Sequence, residues 1–182
     1  AYVGGGSMNW GTELMNDVAT CTELAGEVRL YDLDHERARK NAELGNLYQD
    51  QPDAVSDFEY VAVEDMASAF DGADFVLTST RFPPAKTVAD TNVPLEYGIY
   101  QTIGETVGPG GALRAMRGIP VSRAHDAKVR EQCPDAWVFN FTNPVHFVTR
   151  ALYDEYPGIN AVGLCHEVLG TRSHLADLAA EH

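Results

Sequence analysis

The segment AYVGGGS, residues 1–7, and the segment VRLYDLD, residues 28–34, together decide the fold. In the first segment, three glycines separate a short apolar stretch from a stretch with helical spacing. In the second, Asp32 closes an apolar strand 28 residues after Gly4. A strand, a glycine turn, a helix, a second strand and an acidic residue, in this order, are typical of a dinucleotide-binding βαβ unit. The third glycine of the usual fingerprint is replaced by Asn9.

The glycine turn and the acid predict a binding site for NAD. Gly4, Gly6 and Ser7 would let a pyrophosphate approach the N-terminus of the following helix. The carboxylate of Asp32 would accept hydrogen bonds from the adenosine ribose, and its charge would repel the 2′-phosphate of NADP. Asp34 is a competing candidate for this role. The plain structural alternative for the whole motif is a tight turn beside a solvated acid.

Apolar strands alternate with stretches of helical spacing along the rest of the chain. This pattern predicts an α/β fold, a doubly wound parallel sheet of the Rossmann type, in one domain over residues 1–182 that is cut short at both ends. The first helix is expected from Asn9 to Leu24, with Trp10, Leu14, Val18 and Cys21 on its apolar face. After Thr80 this pattern breaks for about 30 residues, which predicts a long irregular connection. Such connections in a compact domain are usually functional or disordered. A helix is then expected from Ala112, kinked or restarted at Pro120. Strands are expected at 1–3, 28–31, 58–63, 75–79, 137–141 and 159–164, and further helices at 35–47, 65–70, 144–153 and 168–181.

The composition excludes two classes of partner. The 182 residues include 27 Asp and Glu against 13 Lys and Arg, a formal net charge of −14. Nucleic acids and anionic membrane surfaces are bound through Lys and Arg, so neither is expected as a partner. The negative net charge is typical either of a protein adapted to a salt-rich cytoplasm or of an ordinary acidic cytosolic enzyme. Without a long apolar run or a signal-peptide pattern, the chain is expected to be cytoplasmic, with its three cysteines reduced.

The ends of the last three predicted strands carry polar side chains to one edge of the sheet, where doubly wound folds bind ligands. Arg81 follows the fourth strand, either as a ligand-binding cation or as a surface arginine. Asn143 follows the fifth, where it could bind a polyol, cap the next helix, or do both. Cys165 and His166 follow the sixth. A thiol at a helix N-terminus has a lowered pKa and could bind a metal, whereas the alternative is a buried thiol beside a capping or surface histidine.

Longer strings make a family resemblance specific. The chain resembles glycoside hydrolase family four, whose members share a dehydrogenase-like NAD domain, in GGGS (4–7), LYDLD (30–34), GETVGPGG (104–111), NFTNP (140–144) and VGLCHEV (162–168). The resemblance implies a bound NAD⁺ and a divalent metal, usually Mn²⁺. It also implies oxidation of the sugar at C3 by NAD⁺, elimination of the C1 substituent, addition of water and return of the hydride.

The resemblance also implies roles for particular residues. Gly4, Gly6 and Asp32 would hold NAD, and Asn143 would bind the sugar hydroxyls. From their positions in the sequence alone, Ser7 is a further candidate for the cofactor, and Arg81 for the cofactor or the sugar. Cys165 would bind the metal, and His166 is the candidate general acid. The family's second metal-binding histidine and its tyrosine or aspartate base have no counterpart in these 182 residues. We therefore expect the chain as given to bind nucleotide better than it catalyses.

The string CHEV, residues 165–168, resembles the subgroup that acts on α-linked galacturonic acid. A uronate needs a cation, for which Arg81 or an arginine beyond residue 182 could serve. The alternatives are a neutral α-galactoside or α-glucoside as substrate, a 2-hydroxy-acid dehydrogenase of the lactate and malate type, and a nucleotide-binding module without turnover. A sugar is the expected small-molecule partner, and a homo-oligomer is the expected assembly.

Overall fold

The computed structural model describes residues 1–81, 84–101 and 105–180. Within these residues, six parallel strands form one sheet in the order β3-β2-β1-β4-β5-β6. The strands are β1 (Tyr2–Val3), β2 (Ala25–Tyr31), β3 (Asp57–Val63), β4 (Phe75–Thr78), β5 (Trp137–Asn140) and β6 (Asn160–Gly163). The strand order reverses between β1 and β4, which places a ligand crevice at their carboxyl ends. The predicted doubly wound sheet is confirmed.

Seven helices connect and cover these strands in the described residues. They are α1 (Trp10–Ala19), α2 (His35–Gln49), α3 (Met66–Phe70), α4 (Pro84–Glu96), α5 (Gly108–Gln132), α6 (Val145–Glu155) and α7 (Glu167–Ala180). On one face of the sheet, Tyr2 and Leu30 pack with Met15 of α1. On the other face, Val76 and Val138 form a core with apolar residues of α3, α5 and α6. No helix in the described residues is both long enough and apolar enough to cross a bilayer.

The predicted irregular segment after β4 contains helix at 84–96 and 108–111, so that prediction was wrong there, whereas the described residues 97–101 and 105–107 are irregular. Helix α4 occupies part of it, and α5 begins at Gly108 and continues through Pro120. Proline inside a helix costs about 3 kcal/mol. Pro120 is exposed, and the opposite side of α5 buries Ala115, Ser122 and Val129 over the length of the helix. This packing outweighs the cost of the prolines. Within the same connection, residues 82–83 and 102–104 lie outside the described residues.

The first helix is also shorter than predicted. It ends at Ala19, and Gly26 lies inside β2 instead of ending the helix. The residues that face the sheet are Gly11, Met15 and Ala19, four residues apart, and not the predicted face that begins at Trp10. The helix ends where Thr20, Cys21 and Thr22, which favour helix poorly, follow Ala19. The predicted end of the last helix, Glu181, lies outside the described residues.

Candidate functional site

The glycine turn between β1 and α1 has no room for side chains. Gly4 has a φ of +94°, and a Cβ atom there would lie 2.3 Å from the carbonyl oxygen of Ser79. A Cβ atom on Gly5 would lie 2.7 Å from the Cβ of Leu30. The turn therefore fits between β2 and β4 only because these residues are glycines, and it leaves bare backbone at the switch point of the sheet.

Asp32 lies directly beside this turn. Its Oδ2 accepts a hydrogen bond from the Gly6 N–H at 3.0 Å, and its Oδ1 accepts one from the Asp34 N–H at 2.9 Å. Asp34, the competing candidate, caps α2 instead: it accepts from the Arg37 N–H at 3.2 Å and pairs with the Arg37 guanidinium at 3.1 Å. The structure thus brings Asp32, and not Asp34, to the predicted nucleotide site.

Two further residues at this turn were missed from the sequence. The side chain of Asn41, buried in α2, donates from Nδ2 to the carbonyl oxygens of Gly5 and Ser7 at 2.7 and 2.9 Å. A Cβ atom on Gly11 would lie 2.9 Å from the same nitrogen. Gly11 therefore permits the close packing that the third fingerprint glycine usually provides. The available signal was a polar Asn41 on the otherwise small, apolar face of α2.

The carboxyl ends of β4 and β5 are held together by one buried side chain. Asn140, fully buried, accepts at Oδ1 from Thr78 Oγ1 at 2.9 Å and from the Thr142 N–H at 3.0 Å, and it donates from Nδ2 to Thr149 Oγ1 of α6 at 3.2 Å. Thr142 Oγ1 in turn accepts from the Thr80 N–H at 2.9 Å. This network fixes the sheet edge from which the predicted ligand-binding residues extend.

Asn143 makes the contact at the start of α6 that the sequence suggested, whereas its contact with a polyol stays a prediction. Its Oδ1 accepts from the Val145 N–H at 3.3 Å, at the start of α6, and Pro144 is the N-cap residue rather than the first helical residue. Its Nδ2 donates to Glu105 Oε2 at 2.6 Å. The carboxamide therefore supports the helix start and also belongs to a polar cluster at the sheet edge.

His166 is brought to the same edge by ring packing. Its imidazole packs edge-on against Trp10, with 5.0 Å between ring centroids, and Trp10 contacts the ring of Phe141 at 5.4 Å. Since Trp10 begins α1, beside the glycine turn, the rings join the predicted nucleotide site to the ends of β5 and β6.

Cys165 is exposed, so the alternative of a buried thiol was wrong.

The predicted metal site and the predicted ligand-binding cation are only partly assembled. Arg81 is exposed beyond the end of β4, and it forms no ion pair with any residue that the structure describes. In the same described parts of the chain, no three His, Cys, Asp or Glu side chains are grouped to hold a metal ion. Cys165 would therefore need further ligands from elsewhere.

The fold and this site define a Rossmann-type domain, the class that binds dinucleotides at the switch point of a doubly wound sheet. The family model for Family 4 glycosyl hydrolase matches residues 1–181. The chain belongs to that family, and the resemblance found in the sequence is confirmed. This family is not that of the lactate- or malate-type dehydrogenases.

Similar proteins agree with this assignment. An alpha-galacturonidase of Thermoanaerobacter italicus is 42% identical over 183 residues, which cover 100% of this chain and 39% of that protein. A crystal structure of a Bacillus subtilis protein has a TM-score of 0.90 at 40% identity and is matched over 100% of this chain and 41% of its own. A 6-phospho-alpha-glucosidase from gut microorganisms, in complex with NAD and Mn²⁺, has a TM-score of 0.76 at 28% identity, over 91% and 37% of the two chains. The chain therefore spans about two fifths of the length of these relatives.

Proposed function

We propose that residues 1–182 are the NAD-binding part of a glycosidase that acts on α-galacturonides with NAD⁺ and a divalent metal such as Mn²⁺. The observation that carries the proposal is the glycine turn faced by the Asp32 carboxylate, at the edge to which β5 and β6 bring Asn143, Cys165 and His166. The 42% identity to an alpha-galacturonidase supports the substrate class. Because the relatives are much longer, turnover is proposed for the full-length protein.

The residues at the turn fit a dinucleotide. Gly4, Gly5 and Gly6 have their N–H groups bonded to Tyr31 and Asp32, so they shape the turn and leave room for the ligand. Ser7 Oγ accepts from the Trp10 N–H at 3.2 Å and so holds the start of α1. Among the hydrogen bonds of the described residues, the N–H groups of Met8 and Asn9 have no acceptor. These two donors, at the positive end of α1, would receive the pyrophosphate.

The remaining residues would handle the sugar. When bound, NAD⁺ and the metal would supply hydride transfer at the sugar C3 and polarisation of its oxygen atoms. Cys165, exposed just before α7, would bind the metal as a thiolate. His166, whose ring orientation is fixed by Trp10, would donate a proton to the glycosidic oxygen. Asn143 would bind sugar hydroxyls, and Arg81 would bind the uronate carboxylate or the cofactor.

Replacement of Asp32 tests the nucleotide site on the chain as it stands. Asp32→Ala is expected to weaken NAD⁺ binding roughly 10- to 100-fold, because it removes charge-assisted hydrogen bonds to the ribose. Asp32→Asn is expected to relax discrimination against NADP⁺, because the repulsion of the 2′-phosphate is lost. Titration calorimetry with both nucleotides measures the two effects. Asp34→Asn is the matched control, since it keeps the cap of α2, removes only the ion pair with Arg37, and should leave both affinities unchanged. Unchanged affinities in the Asp32 variants would exclude this site.

Turnover by the full-length protein tests the substrate. We expect kcat/KM on digalacturonate to exceed that on a neutral α-galactoside, and both activities to require NAD⁺ and Mn²⁺. A clear preference for the neutral sugar would replace the galacturonide with an α-galactoside as substrate. Nucleotide binding without turnover of either sugar would instead support a binding module.

A further inference from the structure

Glu105 lies between two hydrogen-bond donors at the sheet edge. One carboxylate oxygen, Oε1, accepts from the guanidinium of Arg114, and the other, Oε2, accepts from Asn143 Nδ2 at 2.6 Å. Arg114 also donates to Thr87 Oγ1 of α4 at 2.9 Å, and its side chain is only 6% exposed. A buried cation on α5 thus holds Glu105, and Glu105 holds the carboxamide of Asn143.

A carboxylate offers a separate acceptor oxygen to each of the two neighbours of Glu105. A side-chain amide has a single acceptor oxygen, and both Arg114 and Asn143 present N–H groups. In a Glu105→Gln variant, the oxygen would turn to Arg114, because a buried guanidinium left with Thr87 Oγ1 alone as acceptor is costlier than an unpaired Asn143 N–H. The amide nitrogen of the new side chain would then face the nitrogen of Asn143, with donor against donor.

The contact with Glu105 also determines which way the Asn143 carboxamide faces. Its Oδ1 accepts from the Val145 N–H at 3.3 Å while its Nδ2 donates to Glu105. A flipped amide would place Oδ1 against the Glu105 carboxylate and Nδ2 against the N–H of Val145, so both contacts would become repulsive. In the observed orientation, one N–H donor and one oxygen lone pair of Asn143 remain for another partner.

We propose that the Glu105–Arg114 pair positions Asn143 for contact with the sugar hydroxyls. This inference rests on the proposed function only for the identity of that partner. Glu105 acts here as a positioning residue, because both of its oxygens accept hydrogen bonds from neighbouring side chains. Arg114 holds Glu105 in place through a charge-assisted hydrogen bond to Oε1.

The first test does not depend on catalysis. In ¹⁵N-labelled protein, the Asn143 side-chain NH₂ signals are identified by their absence from an Asn143→Asp variant. We expect one of the two protons to be shifted downfield and slow to exchange in the wild type, and to lose both features in Glu105→Gln. In the double variant Glu105→Gln/Arg114→Met, the amide oxygen is free to turn to Asn143, and both features should partly return.

Asp90→Asn is the matched control. It breaks the neighbouring ion pair between α4 and α5, Asp90 with Arg117, which does not touch Asn143. This control should leave the Asn143 signals as in the wild type even if the protein is destabilised. Unchanged Asn143 signals in Glu105→Gln, or the same loss in Asp90→Asn, would overturn the positioning role.

The second test uses turnover by the full-length protein. Glu105→Gln is expected to lower kcat/KM about tenfold, and adding it to Asn143→Ala should cause no further loss, because the pair acts through Asn143. Additive losses would overturn the inference. Wild-type turnover by Asn143→Ala would instead refute the proposed role of Asn143 in the enzyme, and the amide signals would still decide whether Glu105 orients it.

Discussion

Gly4→Ala is expected to destabilise the protein by at least about 3 kcal/mol and to abolish nucleotide binding. The added Cβ would lie 2.3 Å from the Ser79 carbonyl oxygen, in backbone that cannot yield without separating β1 from β4. The φ of +94° adds a further cost of about 1–2 kcal/mol for any residue with a side chain. Urea unfolding measures the stability, and calorimetric titration with NAD⁺ measures binding.

Substitutions at two other glycines separate the cost of the positive φ from the cost of the close contact with Ser79. Gly72 also has a positive φ, +61°, but a Cβ there would meet nothing within 4 Å, so Gly72→Ala should cost only about 1–2 kcal/mol. Gly170 lies inside α7 with open space around it, and Gly170→Ala should stabilise by up to about 1 kcal/mol. If Gly4→Ala costs no more than Gly72→Ala, the close approach to Ser79 is not what requires glycine.

The sheet could be predicted from sequence because its signals are local. Each strand is a short apolar segment bounded by turn residues, and the glycine turn with Asp32 defines the first βαβ unit. The rule for ligand crevices then places the ends of β4, β5 and β6 at one edge. This rule places His166 and the glycine turn at the same edge of the sheet. In the structure, the ring of Trp10 packs against His166 there.

The connection between β4 and β5 could not be predicted, because its helices depend on packing. Pro94, Pro120 and the glycines of 108–111 disfavour helix, yet α4 and α5 pack against each other through the Asp90–Arg117 ion pair and the hydrogen bond from Arg114 to Thr87. The contact of Glu105 with Asn143 joins residues 38 positions apart. Neither spacing nor propensity carries information about such a contact. Asn41, 36 positions from Gly5, was missed for the same reason.

Asp126→Asn is expected to raise the free energy of unfolding by about 2–3 kcal/mol at pH 7 and to leave it unchanged near pH 4. Asp126, on α5, is fully buried, and neither carboxylate oxygen has a hydrogen-bond partner among the described residues. Burial raises the pKa of this carboxyl from 3.8 to about 6; the charge of Arg130 opposes the shift and that of Glu155 adds to it. Between pH 3.8 and about pH 6, the folded state binds more protons than the unfolded state, so this group lowers the free energy of unfolding as pH rises. Urea melts from pH 4 to pH 8 measure the effect.

The neighbouring His125 makes the comparison of pH profiles decisive. Its burial lowers the pKa of the imidazole from 6.5 to about 4, so between these values the unfolded state binds more protons and stability rises with pH. The two groups have opposite effects on the pH dependence over nearly the same range. In the wild type, these two groups together should therefore change the free energy of unfolding little between pH 4 and pH 6. Asp126→Asn should expose the rising slope of His125, and His125→Gln should expose the falling slope of Asp126. Profiles of both variants that run parallel to that of the wild type would show that neither group changes its protonation on folding, and that the unpartnered carboxylate of Asp126 is ionised at no cost to the fold.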